Sequence, residues 1–174
     1  MVKKLIFALA LSSFSAQGLY AQAQLVPEQY SLEKAEDYAA YNNDVVRCVD
    51  WIINTPISEG RNIRRNVYEF LLQWTAGSPD LLISISPDNL PFEISHPDLL
   101  ILFMGAWAKY AIVHKDYKDH LAANEYAVLT VLDFMESNKA LLPEEDATTK
   151  KFKAMREKGT LRKHLKKALS KMKK

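Results

Sequence analysis

The sequence predicts an all-α fold, a compact bundle of about six helices packed around one buried central helix at about residues 97–113. Three observations predict it. Apolar residues recur at three- and four-residue spacing in stretch after stretch, the signature of amphipathic helices. Residues 97–113, P-D-L-L-I-L-F-M-G-A-W-A-K-Y-A-I-V, are apolar on every side except at Asp98 and Lys109, so a helix there needs protein all round it. With 48% apolar residues and only five glycines, the chain is neither disordered nor collagen-like.

At the N-terminus, Lys3 and Lys4 precede an apolar run from Leu5 to Leu11 and then small and polar residues, the pattern of a secretory signal peptide over residues 1–21. Cleavage is expected after Ala21, with Ala23 the alternative, and the run is too short for an uncleaved anchor, which needs about 20 residues. No cysteine lies near either position, so a lipidated N-terminus is not expected and the mature chain should be soluble, periplasmic or extracellular, with no transmembrane segment. The lone Cys48 rules out an intramolecular disulfide, leaving stability to the apolar core.

Residues 22–30 contain Pro27 and no periodicity, and read as a loose leader to a helical domain over residues 31–158. Ser31 is placed to cap a first helix, with Glu33 and Glu36 where the helix dipole favours anions. Its face runs through Leu32, Ala35, Tyr38 and Ala39 to Val45, Val49 and Ile52, with a kink or second cap at Asn42-Asn43 and an end at Thr55-Pro56. Ser58 caps the next helix, whose face is Ile63, Val67, Phe70, Leu71 and Trp74; Gly77 supplies a left-handed C-terminal residue and Pro79 the stop. Between residues 80 and 95 the period changes to alternation, which predicts an extended or β-ribbon-like insertion.

Pro97 suits the first turn of the central helix, and Gly105, Ala106, Ala108 and Ala111 let a neighbouring helix come close. Asp116 caps a further helix with face Leu121, Tyr126, Leu129, Leu132 and Met135; Asp133 falls outside that stripe. Glu144, Glu145 and Asp146 open a short helix with Phe152 and Met155 on one side, ended by Gly159. Residues 159–174 form a basic amphipathic helix capped by Thr160, with Leu161, Leu165, Leu169 and Met172 on one face.

The net charge of +2 conceals an asymmetry. Residues 150–174 carry twelve Lys or Arg against Glu157 alone, while residues 22–149 carry nine against twenty Asp or Glu. A basic tail on an acidic body either folds back on that body or reaches an anionic partner, and Arg162, Lys163, Lys166, Lys167 and Lys171 are the partner-binding candidates. Arg61, Arg64 and Arg65, at a helix start where free N–H groups favour anions, form a second candidate anion site, set against a solvated or salt-bridged face.

Other chemistry reads as absent. The spacing of His114, Asp116 and His120 fits no metal motif, and no metal or cofactor is expected. There is no G-x-S-x-G, H-E-x-x-H or glycine-rich phosphate loop, so no catalytic residue is assigned. Cys48 reads as core, as do Trp51, Trp74 and Trp107 with Tyr110 and Tyr126, unless those rings line a cleft for a flat ligand. Lys109 is expected to snorkel or find a carboxylate; a lowered pKa would instead make it a base or nucleophile.

Gly105-Ala106-Trp107 through Asp116-Tyr117 to Ala127 loosely resembles a tetratricopeptide helical hairpin, with Trp following Gly rather than leading it and no second copy. The resemblance implies two antiparallel helices joined by a short turn. The expected function is a non-enzymatic, exported binding domain for an unknown protein or an anionic envelope surface, with nucleic acid an unlikely partner. The alternative is a small envelope hydrolase with an aromatic-lined cleft.

Overall fold

A computed structural model describes residues 25–93 and 96–172; the expected signal peptide lies outside the described residues. The described chain is all-helical, with α1 (Ala35–Ala40), α2 (Asn42–Asn54), α3 (Arg61–Gly77), α4 (Pro97–His114), α5 (His120–Ser137), α6 (Ala147–Glu157) and α7 (Leu161–Met172). As the sequence predicts, α4 is the centre. It packs against α2 and α3 on one side and α5 on the other, and α7 covers α5 from outside with α6 beside it.

Leu99, Leu102, Phe103, Ala106, Trp107, Ala108 and Ala111 of α4 are all buried. At about 1.5–3 kcal/mol for each large apolar side chain removed from water, this helix alone outweighs any surface ion pair in the molecule. Gly105 is what lets α2 close on it. A β-carbon there would stand 2.9 Å from Val49 Cγ2, nearer than side chains approach one another without a shift.

Several boundaries differ from those predicted, each for a local reason. Ser31 caps nothing; the first turn is organised by Asp37, whose Oδ2 accepts from the N–H groups of Glu33 (3.2 Å) and Lys34 (3.0 Å). A break at Tyr41 makes α1 and α2 separate helices, giving seven among the described residues rather than about six. α3 starts at Arg61 instead of after Ser58, because Gly60 at φ 62° turns the chain into it. Gly77 is the helix's last residue, not a left-handed cap, and Ser78 follows in extended conformation. Tyr38 explains the glycine better, since a β-carbon at 77 would lie 2.0 Å from its hydroxyl oxygen. Asp119, not Asp116, caps α5 by accepting from Ala122 N–H at 2.9 Å, while Asp116 Oδ1 organises the preceding turn by accepting from Lys118 and Asp119.

Residues 25–30 have no helix, yet Leu25, Val26 and Tyr30 pack on the core. The predicted ribbon does not form: among the described residues of 80–93 there is no strand. The segment is instead a strap held by side chains. Asn89, fully buried, accepts from Ser86 N–H at 2.7 Å and donates to Ser84 O at 2.7 Å, while Leu90 and Phe92 enter the core. Thr149 Oγ1 donates to Pro91 O at 2.9 Å, fastening the strap to α6. Of the alternating apolar residues, Leu81 and Ile83 pack on the core, whereas Ile85 is exposed and the pattern is met only in part.

Replacing Gly105 by valine is expected to cost about 1–3 kcal/mol in urea unfolding, the usual penalty for overpacking a filled core. The same replacement in a Val49→Ala background should cost less, because the two sites share one contact. Equal costs in both backgrounds would show that Val49 does not limit the approach of α2 to α4.

Candidate functional site

The basic C-terminal helix is positioned by its apolar face. Gly159, at φ 65°, reverses the chain after α6, and Thr160 N–H closes the turn on Met155 O at 2.9 Å. Thr160's hydroxyl also turns back to Met155 O, at 3.4 Å. Leu161, Leu165, Ala168 and Leu169 then dock on the domain, and Phe152 of α6 meets His164 edge-on at 5.5 Å. Met172, expected on the same face, is 40% exposed.

The five tail candidates divide into two sets. Arg162 pairs with Glu125 of α5, and Lys171 with Asp88 of the strap at 2.8 Å. The hydrogen bond and charge of Lys171 hold the Asp88 carboxyl below its usual range. His164 Nε2 lies 2.8 Å from Asp88 O, so the strap and α7 are joined twice. Lys163, Lys166 and Lys167 are exposed and have no ion-pair partner among the described residues. The body's acids therefore neutralise the two ends of the basic face and leave its middle uncompensated.

The second cationic feature is a cleft of about 440 Å³ between α3 and the start of α4. Arg61, Arg65, Tyr68 and Leu72 form a stripe at three- and four-residue spacing along α3, faced by Asp98 and Ile101 of α4. Sequence reasoning found only the arginines here. Tyr68, Leu72 and Ile101 complete the cleft, and the apolar residue at position 72, outside the buried face of α3, is the sequence signal for it.

Arg64 is 5% exposed and is part of the scaffold. Its guanidinium donates to Thr55 O (3.1 Å), Pro56 O (2.8 Å) and Glu59 O (3.4 Å), tying down the loop between α2 and α3. It also donates to Tyr68 Oη at 3.3 Å and lies 5.1 Å from the centre of the Trp51 ring. Gly60 fits this corner for want of a side chain, since a β-carbon would come within 2.7 Å of Trp51. Burial raises the pKa of the Tyr68 hydroxyl well above its ordinary value, with Asp98 adding to the rise and the Arg64 hydrogen bond opposing it. Arg61 and Arg65 are exposed and have no ion-pair partner among the described residues.

The remaining candidates are structural. Lys109 is paired with Asp50 of α2, its side chain 18% exposed. Burial works to lower its pKa, but the hydrogen bond it donates to Asp50, with Tyr126 assisting, outweighs this and raises it. An ammonium held this way is neither base nor nucleophile at neutral pH. Trp74 and Trp107 are core; Trp74 donates to Tyr38 O at 3.0 Å and Trp107 meets Phe103 edge-on. Cys48 is fully buried, and burial, with the charge of Asp44, pushes its thiol up to about 12. His114 stacks on Tyr110 at 4.0 Å, and no group of three potential metal ligands occurs among the described residues. Asp133, expected to be solvated, is exposed and pairs with Arg156 at 2.7 Å.

No helix among the described residues is long and apolar enough to cross a membrane. Compared with known proteins, the chain matches no family model, no curated sequence and no solved structure. The class defined by fold and surface is thus an all-α bundle with a docked basic helix and a separate cationic cleft.

The Lys109 pairing has a pH signature. Its folded pKa is raised above the ordinary 10.5, so its contribution is complete below that value and is lost as pH rises through the folded one. Tyr68 acts in the same direction, holding its proton more firmly in the fold. The buried Cys48 thiol, raised from 9.0, acts likewise and first, so unfolding free energy should begin to fall near pH 9 and fall further as Tyr68 and Lys109 titrate. Asp50→Asn should lower stability near neutral pH and flatten the alkaline fall, measured by urea unfolding across pH. Identical alkaline slopes in both proteins would exclude Asp50 as the cause.

Proposed function

We propose that this protein is an exported, non-enzymatic binding domain that uses the outer face of α7 to hold an anionic envelope surface. The observation that carries this reading is the uncompensated middle of the basic face. Lys163, Lys166 and Lys167 stand exposed in a helix whose apolar side is already buried. Arg162 and Lys171 flank them from within ion pairs that orient the helix. Lys150, Lys151 and Lys158 are also exposed, on or just after α6.

Docking of Leu161, Leu165 and Leu169 sets the mode of contact. An amphipathic helix that inserts into lipid must bring its apolar face to the membrane, and here that face is occupied by the domain. The contact is therefore peripheral and electrostatic, with affinity set by the number of lysines near the surface and screened within a Debye length of about 8 Å at physiological salt. Each lysine near an anionic leaflet contributes about 1 kcal/mol. The acidic body is repelled by the same surface, which orients the domain with α7 inward.

Export rests on the signal-like segment at residues 1–21, and N-terminal sequencing of the secreted chain should read from Gln22. An unprocessed chain retained in the cell would refute export. For the surface, binding to phosphatidylglycerol vesicles should weaken steeply as salt is raised. Replacing Lys163, Lys166 and Lys167 together by alanine should reduce it on the order of 100-fold, from three contributions of about 1 kcal/mol each. Binding that ignores both salt and these lysines would overturn the reading.

A further inference from the structure

We propose that the cleft between α3 and the start of α4 binds a small amphipathic monocarboxylate, its anionic head at Arg61 and Arg65 and its apolar body along Leu72 and Ile101. This goes beyond the surface contact of α7, since the cleft is built from different helices.

Charge is the first argument. Lys109 and Lys153, the other cations with largely covered side chains, have carboxylate partners. Arg64, more deeply buried than either, has none within ion-pair distance among the described residues, only carbonyl oxygens, a phenol and an indole face. A buried guanidinium with no counter-charge, flanked by two exposed and unpaired arginines, creates a local demand for an anion. Across the cleft lining, Arg61, Arg64 and Arg65 face Glu69 and Asp98, leaving one positive charge. A single carboxylate balances that charge; a dianion overshoots it.

Backbone geometry is the second argument. Gly60 turns the chain into α3 with no side chain to cap it, so the first N–H groups of the helix lack side-chain acceptors at the end where Arg61 and Arg65 lie. Tyr68 has its hydroxyl tied to Arg64 and forms the floor between the head and the apolar end.

Shape is the third. From Arg61 to Leu72 the stripe covers eleven helical steps, about 16 Å, enough for a medium-length chain or one or two rings. Leu72, 49% exposed, lies toward the end away from Arg61, and Ile57 and Ile101 add apolar wall. Glu69 and Asp98, placed along the wall, disfavour a second anionic group on the body. The site thus selects one charged end and one apolar end.

Decanoate, kept below its micelle-forming concentration, is a suitable probe for calorimetry and for amide chemical shifts. Saturable one-to-one binding is expected, with shifts at residues 57–72 and 98–101. Replacing Arg61 and Arg65 together by alanine should weaken it at least tenfold, and Leu72→Asp by a similar factor. All three positions are exposed, and circular dichroism checks that the variants fold. The triple alanine variant of Lys163, Lys166 and Lys167 should bind decanoate as the parent does, which separates this site from α7. The proposal is overturned if decanoate does not bind, if decyltrimethylammonium binds as tightly, if inorganic phosphate matches decanoate, or if the α7 variant alone loses binding.

Discussion

Helix α4 has almost no polar surface to offer water, and the rest of the bundle is arranged to cover it. Burial of its large side chains against α2, α3 and α5 provides stabilisation that no electrostatic contact in the molecule approaches. This requirement fixes the positions of other features. α2 can lie close only because residue 105 lacks a side chain, and its closeness brings Asp50 to Lys109. The one cation near the middle of the central helix is thereby matched by a carboxylate from a neighbouring helix. α5, pressed on the other side, then offers the outer surface on which α7 lies.

Charge is distributed as a consequence of this packing. Pairs such as Arg162–Glu125, Lys171–Asp88 and Arg156–Asp133 join elements already brought together by apolar contact. Exposed pairs of this kind contribute between nothing and about 1 kcal/mol, so they orient more than they stabilise. Their significance lies in which cations they leave out. The acids reach the edges of α7 and not its middle, and they reach Lys109 and Lys153 but not Arg64. Net charge conceals both residues of positive potential.

The all-α class, the central helix and the docked, periodic face of α7 were legible because a period of three to four residues is a direct imprint of burial on sequence. Leu161, Leu165 and Leu169 show this plainly. Caps were less legible, because several residues nearby could do the same work. Asp116 and Asp119 both sit ahead of α5, and only the fold decides that Asp119 accepts the helical N–H while Asp116 builds the turn. The alternation at residues 80–93 misled for a related reason. A period of two records that alternate side chains face the protein, and a strap clamped by Asn89 and Thr149 lets Leu81 and Ile83 do so without a sheet while leaving Ile85 exposed. At the α3 cleft, the three arginines looked equivalent in sequence, whereas burial makes Arg64 part of the scaffold and leaves Arg61 and Arg65 available.

That difference bears on how the two cationic features should be understood. Along α7 the lysines are flexible, hydrated point charges on one helical face, suited to a surface whose charges are themselves diffuse. Around α3 the central cation is held rigid by three loop carbonyls and two aromatic rings, so its field is fixed in direction. A preorganised charge discriminates among ligands by geometry, because it cannot move to accommodate them. The same loop carbonyls would otherwise need other donors, so the feature that ends α2 and starts α3 is also the one that places a guanidinium at the cleft wall. Structure and recognition at this corner follow from a single buried arginine.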